Sequence, residues 1–428
     1  MKWIICSLAL LGAMTVHAQT VSVSPYSAYG IGEQLYNNNA EQGAMGGIST
    51  VPTNPFGQNA NFSNPAANQN IRMTNFNVSV RGDNSSFTSG DQQKSTGSFK
   101  LSNVSLAFPV TKKSTLGMGF QPFTGLGYNI SNTKKQSEEV EQSSLMKGQG
   151  GINSIHAFYN YNISNGFSLG LRANYLFGKL QNNELVSVDG ASLLTDYDKK
   201  GNYRGLQFTL GSMYQKKIGK TNNLYVGAYY TMGTDLKTDL SEMTTTYTYS
   251  GTTKIVEDTV SFNRDTDYKT TIPHTAALGV SYTKDNAWAI SGEVRYSTWS
   301  DFKKSSLSAL GDVQSNTEYK DNVYAAVGGY WIPDFNSYKS YFNRVIYRGG
   351  VYYESAAYSI YGHDINRYGV TLGAGFPVGK VNDGSMLNVS LEYGQKGTDK
   401  DNLIKDKYFG VKIGFDLNDI WFRKRVID

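Results

Sequence analysis

Few residues of this 428-residue chain are able to carry out chemistry, and they lie far apart. The only cysteine is Cys6, and the histidines after residue 18 are isolated at His156, His274 and His363. None of them has a neighbour at metal-ligand spacing, and the chain contains neither a His-Glu-x-x-His motif nor a phosphate-binding loop. We therefore expect no enzyme, no metal site and no cofactor.

Charged side chains inside segments of alternating hydrophobicity are the other candidates for chemistry. If the apolar residues of these segments face lipid, where a charge costs about 2–4 kcal/mol at mid-membrane, the opposite parity faces an interior. Most of these inward charges we interpret as ion pairs of an inner wall. They are Arg81, Arg172, Glu293, Arg295, Arg348, Arg367, Glu392 and Lys412. Four of them are candidates to bind a substrate carboxylate, because charge-assisted hydrogen bonds are strong: Arg172, Arg295, Arg348 and Lys412.

The start of the chain predicts export. Lys2 and Trp3 precede an apolar run from Ile4 to Val16, and Val16-His17-Ala18 resembles a signal-peptidase site. This pattern predicts a signal peptide over residues 1–18. A retained membrane helix is disfavoured because the run is shorter than the roughly 20 residues that a bilayer span needs. The formal net charge of +5 is too small to indicate a nucleic-acid partner.

Period-two alternation recurs along the rest of the chain, for example from Phe167 to Phe177 and from Phe409 to Leu417. It predicts about 14 strands of roughly 9–11 residues each. Short connections, such as residues 164–166, alternate with long ones, predicted at 83–99, 130–150, 178–202, 233–270, 300–319, 354–366 and 395–406. Outer-membrane barrels are connected in this way. We therefore predict an all-β fold, a transmembrane antiparallel β-barrel over residues 73–417 in the outer membrane of a Gram-negative cell.

Residues 19–72 do not alternate and are rich in Asn, Gly and Pro. They form either a disordered leader or a plug (hatch) packed in the lumen. Apolar residues spaced along this stretch favour the plug: Tyr29, Ile31, Met45, Ile48 and Phe56. After the last alternating strand, residues 418–428 are predicted to form a periplasmic C-terminal tail.

Three stretches resemble the FadL-type (OMPP/TodX-like) outer-membrane transporters of hydrophobic compounds. The first combines Ala44-Met45-Gly46-Gly47 with Asn64-Pro65-Ala66-Ala67 and is similar to that family's plug motif, so Gly46, Gly47, Asn64 and Pro65 are its candidate residues here. The second runs from Met118 to Leu126 and contains Pro122-Phe123. The third runs from Ile272-Pro273 to Phe302 and contains Tyr296-x-x-Trp299-Ser300.

The resemblance implies passive uptake of long-chain fatty acids or other hydrophobic small molecules, with lateral exit through a break in the third strand. Pro cannot donate to a ladder, so Pro122 marks the expected break, although an ordinary strand end is the alternative. Gln121 and Thr124 depart from the family's small, apolar context and leave the shape of a gap open. The expected substrate path comprises Phe56, Phe120, Pro122, Phe123 and Leu126.

An alternative function follows from both ends of the chain. Ser24-Pro25-Tyr26-Ser27 and Trp421-Phe422-Arg423-Lys424-Arg425 resemble the Bacteroidota branch of such proteins. Some barrels of that branch are subunits of outer-membrane secretion or barrel-assembly complexes and do not transport lipids. The expected partners are therefore the lipid bilayer and hydrophobic small molecules, or, in the alternative, the proteins of such a complex. A plain water-filled porin is disfavoured by Pro122 and by the predicted plug.

Overall fold

The computed structural model describes residues 22–35, 39–57, 59–135, 140–302, 317–378 and 384–421. Within them, 14 antiparallel strands close into one barrel, which confirms the predicted fold class. The strands of the wall are β2 (Thr74–Ser89), β3 (Gln92–Thr111), β4 (Ser114–Lys135), β5 (Glu141–Ser164), β6 (Phe167–Val188), β7 (Leu194–Ile218), β8 (Asn222–Thr231), β9 (Thr234–Ser250), β10 (Thr253–Ile272), β11 (Thr275–Lys284), β12 (Trp288–Ser297), β14 (Asn322–Trp331), β15 (Ile346–Glu354), β18 (Arg367–Pro377), β19 (Met386–Lys396) and β20 (Lys405–Asp419).

Two pairs of these segments each form one barrel strand. β8 continues into β9, and β10 continues into β11, each after two residues outside the ladder. The barrel closes where β2 pairs with β20, from Thr74 opposite Asp419 to Thr88 opposite Lys405. The predicted signal peptide (residues 1–18) and most of the predicted tail (residues 422–428) lie outside the described residues.

The remaining elements are short. β1 (Glu33–Gln34), the helix α1 (Ala40–Gly43) and 3₁₀ turns at Pro25–Ala28 and Pro65–Asn68 precede the wall. β13 (Thr317–Tyr319), β16 (Tyr358–Ile360) and β17 (His363–Asp364) form a small separate sheet, and further 3₁₀ turns lie at Trp299–Asp301, Phe342–Arg344 and Lys400–Asn402. No helix in the described part of the chain is long and apolar enough to cross a bilayer.

The two faces of the wall follow the sequence alternation. On β6 and β7, Leu171 and Leu210 are 48% and 53% exposed on the outer face, whereas Arg172, next to Leu171 on β6, is buried. The eight inward charges that parity predicts are buried or half-buried. An apolar outer band around a polar interior is what a lipid-facing barrel requires.

The predicted long connections are mostly strands. β2 and β3 pair to a turn at Gly90–Asp91, and β5 and β6 stay paired from Ser164–Phe167 to Gln142–Val188. The prediction of loops over 83–99, 130–150, 178–202 and 233–270 was therefore wrong. Beyond the apolar band both faces of a strand contact water, so the apolar alternation that identifies a membrane strand is absent.

The wall separates between β3 and β4. Their ladder runs from Thr111–Ser114 to Val104–Phe120 and ends there, although β3 continues along β2 and β4 continues along β5. On the open edge of β4, Glu33 and Gln34 of β1 pair with Gly125 and Thr124. The N-terminal part of the chain thus lies in the break as a short additional strand.

The described residues of 22–72, here called the inner segment, contact strands all round the barrel. The backbone N–H of Gly46 donates to Thr371 of β18 at 2.8 Å, and Asn64 Nδ2 donates to the carbonyl of Ser212 on β7 at 3.1 Å. On β5, Asn160 Nδ2 donates to the carbonyl of Ala66 at 3.2 Å. These contacts place the segment inside the wall.

Candidate functional site

A buried carboxylate on the wall binds the backbone of the inner segment. Glu293 on β12 accepts hydrogen bonds from the backbone N–H groups of Ser49 and Thr50, at 2.6 and 2.8 Å. Arg295 Nη2 lies 2.6 Å from the same carboxylate, so the charge is paired. A buried charge is tolerated when it is paired and hydrogen-bonded, and here its ligands fix one turn of the inner segment.

Glycines on the inner wall let the backbone of the segment come close. A methyl group on Gly227 would lie 2.1 Å from the carbonyl oxygen of Thr50, and one on Gly350 would lie 2.5 Å from the nitrogen of Gly46. Eight glycines on eight strands each have an atom of the inner segment 1.9–2.9 Å from the place that a side-chain methyl group would occupy: Gly170, Gly211, Gly227, Gly279, Gly328, Gly350, Gly373 and Gly414. We call this set the glycine seat. It holds the segment at a distance that no side chain permits.

The four residues of the predicted plug motif contribute to this seating. Gly46 and Gly47 have φ of +69° and +78°, a region that glycine adopts without strain. Asn64 Oδ1 accepts from Ala66 N–H at 3.1 Å and caps the 3₁₀ turn that Pro65 starts. Each therefore has a local structural reason to be present.

A partly open cavity lies behind the break between β3 and β4. Its polar lining comes mostly from inward positions of the strands, among them Asn103, Gln121, Arg172, Asn174 and Gln207. Its apolar lining comes from both the wall and the inner segment: Leu35, Phe62, Phe123, Leu176, Ile272 and Trp299. A ligand in this cavity would meet both apolar and hydrogen-bonding side chains.

The predicted substrate-path residues do not come together. Pro122 lies at a β-bulge in which Phe123 is the extra residue, and Phe123 lines the cavity. Leu126 is buried under the inner segment, and Phe120 pairs with the outward-facing Ile155. The ring of Phe56 contacts that of Phe335, which lies in the connection between β14 and β15; the two ring centroids are 5.6 Å apart and the rings are tilted. Of the five residues, Phe120 and Pro122 lie at the end of the β3–β4 ladder, and only Phe123 lines the cavity.

The four predicted lumen cations differ in their partners. Arg295 is paired with Glu293, and Arg348 Nη2 lies 3.7 Å from Glu41 of the inner segment. Lys412 is buried opposite Ser390, beneath Gly43. Arg172 donates to the carbonyl of Phe62 and, at 3.0 Å, to Thr209 Oγ1.

Arg172 is distinguished from Arg295 and Arg348 by its lack of a counter-ion. Within the described residues, no carboxylate lies within ion-pair distance of its guanidinium, and its Nε has no hydrogen-bond partner. Sequence parity identified its orientation. Its partners could not be found in the same way, because Phe62 is 110 residues away and lies in a segment without periodicity.

A second, charged site fastens β1. Glu33 Oε1 lies 3.1 Å from Lys396 Nζ of β19, and Ser22 Oγ donates to Glu33 at 3.0 Å. Burial would raise the pKa of the Glu33 carboxyl, but Lys396, with Lys100 and Arg367 farther away, outweighs burial and lowers the pKa to about 2. Glu33 therefore stays ionised at neutral pH, and the ion pair anchors the strand that lies in the break.

One short motif resembles a hydrolase nucleophile and has another role here. Gly166-Phe167-Ser168-Leu169-Gly170 fits the pattern Gly-x-Ser-x-Gly, which needs a sharp strand-to-helix turn to expose the serine. Ser168 instead lies within β6, and its Oγ donates to the carbonyl of Ala66 at 2.8 Å. In the described ranges, no group of three His, Cys, Asp or Glu side chains is placed to hold a metal.

Several solved structures with a similar fold are channels or transporters. They include the CymD monoaromatic hydrocarbon channel (TM-score 0.58, 14% identity, 89% of this chain and 97% of that chain) and the Ralstonia pickettii toluene transporter TbuX (0.56, 14%, 89% and 98%). A Pseudomonas aeruginosa FadL homologue matches at 0.57, with 14% identity over 90% of this chain and 98% of that one. At this identity the likeness shows the fold alone.

Of two comparisons of the sequence with known proteins, one finds no match and the other finds a family. No curated protein matches the chain. One family model, described as BamG, matches residues 1–428. The closed barrel and its apolar outer band indicate an outer-membrane protein.

Proposed function

The chain belongs to the BamG family, and from the geometry of the break and the cavity we propose that it is an outer-membrane barrel for passive uptake of long-chain fatty acids or other hydrophobic small molecules. The proposed route enters the cavity from the outside and leaves sideways between β3 and β4. The observation that carries the proposal is the end of the β3–β4 ladder at Val104–Phe120, beside a partly open cavity.

Passage along the barrel axis is disfavoured by the inner segment. Its backbone lies against the glycine seat and is bound by Glu293, so an axial path would require many close contacts to break together. The break is obstructed by far less. β1 crosses it with two paired residues and a hydrogen bond from Leu35 N–H to the carbonyl of Phe123 at 3.0 Å. It is anchored by the Glu33–Lys396 ion pair and, just before it in the chain, by hydrogen bonds between Ser27 and Gly127. Displacement of β1 is therefore the proposed opening step.

The cavity suits a molecule with an apolar part and an anionic end. Phe62, Phe123 and Leu176 offer an apolar surface, whose burial contributes about 25 cal/mol per Å². Arg172 supplies a buried positive charge. Two structural neighbours are a monoaromatic hydrocarbon channel and a toluene transporter, which supports the hydrophobic class without identifying the compound.

A cysteine pair tests the lateral route. Gln34 and Thr124 are directly opposite each other, at a position where the neighbouring pair carries the hydrogen bond, so side chains there are close. In Gln34→Cys/Thr124→Cys, oxidation is expected to lock β1 in the break and abolish uptake of a fluorescent fatty acid by cells, and reduction is expected to restore it. Each single-cysteine variant is the control. Unchanged uptake by the oxidised pair would exclude the lateral route.

A second function is favoured by the extended hairpin. β9 and β10 continue beyond the apolar band, and β10 carries exposed apolar side chains, Val260 and Phe262 among them. Exposed apolar groups of this kind suit a protein contact. The chain would then be a non-transporting subunit of an outer-membrane secretion or barrel-assembly complex.

Mild-detergent extraction from native membranes separates the two functions. The extract is analysed by mass spectrometry for co-purifying proteins and for bound lipids. A lone barrel enriched in a hydrophobic ligand supports uptake. Stoichiometric partner proteins without an enriched ligand would replace uptake by the subunit function.

A further inference from the structure

We propose that the end of the barrel with the short turns docks an acidic segment of a periplasmic protein. The docking surface comprises four consecutive turns of the wall and a groove beside the point where the inner segment leaves the lumen. Outer-membrane barrels have their short turns in the periplasm. This inference does not depend on uptake, because it concerns the opposite end of the barrel from the proposed entry.

Basic side chains are concentrated on one arc of this end. The turns at residues 112–113, 165–166, 219–221 and 285–287 follow one another around the wall, because β8 pairs with β11. Seven exposed basic residues lie on or beside these turns, and we call them the basic arc: Arg72, Lys112, Lys113, Lys216, Lys217, Lys220 and Lys284. Asp285, the carboxylate at the fourth turn, accepts a hydrogen bond from Asn223 Nδ2 at 2.6 Å.

The six lysines of the basic arc have no counter-ion in the described part of the chain, where no carboxylate lies within ion-pair distance of their ammonium groups. At the other end of the barrel, in contrast, Lys199, Lys237 and Lys254 each lie within 3.1 Å of a carboxylate. Like charges that are close together repel one another. An acidic partner would replace this repulsion by attraction, which makes the arc complementary to such a partner.

A groove beside the arc provides hydrogen-bond donors for carboxylates. Arg72, Lys112 and Lys113 line it, together with asparagine, glutamine and serine side chains from the inner segment and the wall. Its floor is fixed by two contacts: Asn162 Nδ2 donates to the carbonyl of Gln69 at 3.0 Å, and Gln69 Nε2 donates to Gln215 Oε1 at 3.1 Å. Hydrogen bonds from cationic groups to a carboxylate are roughly twice as strong as neutral ones.

The position of the groove favours a protein over lipid head groups. Lys216 and Lys284 lie two residues after the outward-facing Tyr214 and Tyr282, so these two lysines are placed to contact head groups. The groove is lined in part by Gln69 and other residues of the inner segment, which lies inside the wall. The wall therefore separates the groove from the bilayer.

The length of the basic arc favours an extended segment over a small anion. Neighbouring strands are about 4.8 Å apart, so the distance from the first of the four turns to the last is roughly 30 Å. A small anion would contact one turn. A segment of about nine extended residues, at about 3.3 Å each, covers the whole arc.

A labelled decaglutamate peptide tests the proposal by fluorescence anisotropy on the full-length barrel in phosphatidylcholine nanodiscs. Lys112→Gln/Lys113→Gln is expected to weaken binding by about 10- to 30-fold at low salt, because each close charge pair in water corresponds to roughly a fivefold change. The matched control is Lys134→Gln/Lys135→Gln, which removes two adjacent exposed lysines at the opposite end of the same strand. It should change the affinity by less than about twofold.

Cross-linking locates the bound peptide. A carbodiimide joins an ammonium group to a carboxylate in contact with it. Mass spectrometry is expected to find the peptide attached to Lys112 or Lys113 and to Lys217 or Lys220. Attachment mainly to Lys134 and Lys135 would overturn the proposal.

Two further outcomes decide against an acidic protein segment. Equal losses in the two double variants would mean that the peptide responds to net charge and not to the basic arc. The ratio of affinities between wild type and Lys112→Gln/Lys113→Gln is expected to persist in nanodiscs of phosphatidylcholine and phosphatidylglycerol in equal amounts. A ratio of one in those nanodiscs would assign the lysines to anionic lipid and overturn the proposal.

Discussion

The carboxylate of Glu293 accepts a 2.8 Å hydrogen bond from the backbone N–H of Thr50, 243 residues earlier in the chain. The acceptor belongs to the wall and the donor to the inner segment, so this bond joins two parts that periodicity does not relate. Thr50 is also the residue whose carbonyl oxygen occupies the space beside Gly227. The turn at Thr50 is therefore fixed by the hydrogen bond to the Glu293 carboxylate on one side and by the close backbone contact with Gly227 on the other.

Removal of the Glu293 charge should loosen the inner segment. Glu293→Gln leaves Arg295 buried without its carboxylate, and loss of one member of a buried pair costs about 3–5 kcal/mol. We expect the free energy of unfolding, measured by urea titration in detergent, to fall by that order. The control is Glu242→Gln, which breaks a partly exposed 3.1 Å pair with Lys199 and should cost less than about 1 kcal/mol. Equal losses would mean that Glu293 does not hold the segment.

A side chain in the glycine seat should open the barrel axis. In Gly227→Ala the new methyl group would overlap the carbonyl oxygen of Thr50, so the segment must shift. We expect larger single-channel conductance in planar bilayers than for wild type. Gly292→Ala is the control on the wall, because its nearest atom is 3.8 Å away. Wild-type conductance in Gly227→Ala, with a folded barrel, would count against close seating.

The attachment of β1 should depend on pH only in acid. The pKa of Glu33 is about 2 with β1 in place, against an ordinary value of 4.5. A carboxyl with a lowered pKa stabilises the attached state above its ordinary value, and this contribution is lost as pH falls through the lowered one. Spin labels at Gln34→Cys and Gln93→Cys should give one distance from about pH 5 to about pH 9 and a second, longer one that appears as the pH falls toward about 2.

A lysine substitution provides the control for this pH dependence. Lys396→Met removes the partner at 3.1 Å, so the longer distance should appear already at neutral pH. If Lys396→Met keeps the wild-type distance at neutral pH, the ion pair does not anchor β1.

The position of the lipid band is tested by two equally exposed residues. Leu210 on β7 and Tyr249 on β9 are both 53% exposed, but only Leu210 lies in the apolar band. Leu210→Lys should lower the free energy of unfolding from lipid by about 2–4 kcal/mol, and Tyr249→Lys should lower it by less than about 1 kcal/mol. Refolding into liposomes with urea titration measures both. A similar cost for the two would place the band elsewhere.

The sequence predicted the wall of the barrel better than its contents. The orientation of Arg172 and Glu293 could be predicted because a strand alternates with period two wherever one face is apolar. The parts of β5, β6 and β9 beyond the apolar band could not be predicted as strands, because both of their faces contact water and carry polar residues. Their identity as strands depends on pairing partners and not on their own pattern.

The candidate site was predictable only in part, for the same physical reason. Pro122 was expected to break the third strand, but β4 continues through it with a one-residue bulge, and the ladder that ends close by is the one between β3 and β4. The ion pair between Arg295 and Glu293 is local, because the two residues are two positions apart on one face of a strand. The cavity lining at Phe62 and Asn103, in contrast, comes from elements that are distant in the sequence. Contacts between a segment without periodicity and a strand cannot be predicted from the periodicity of the sequence.

The glycine seat is also compatible with only one register of the wall strands. Moving a wall strand by two residues keeps its apolar face toward lipid, so the membrane itself does not reject that error. On β6, however, a two-residue shift would put Arg172 or Ser168 in the place of Gly170, against the backbone of Ala66. The inner segment fits only when every glycine faces it at once. A barrel with one of these strands shifted by two residues would therefore not accommodate the inner segment in this position.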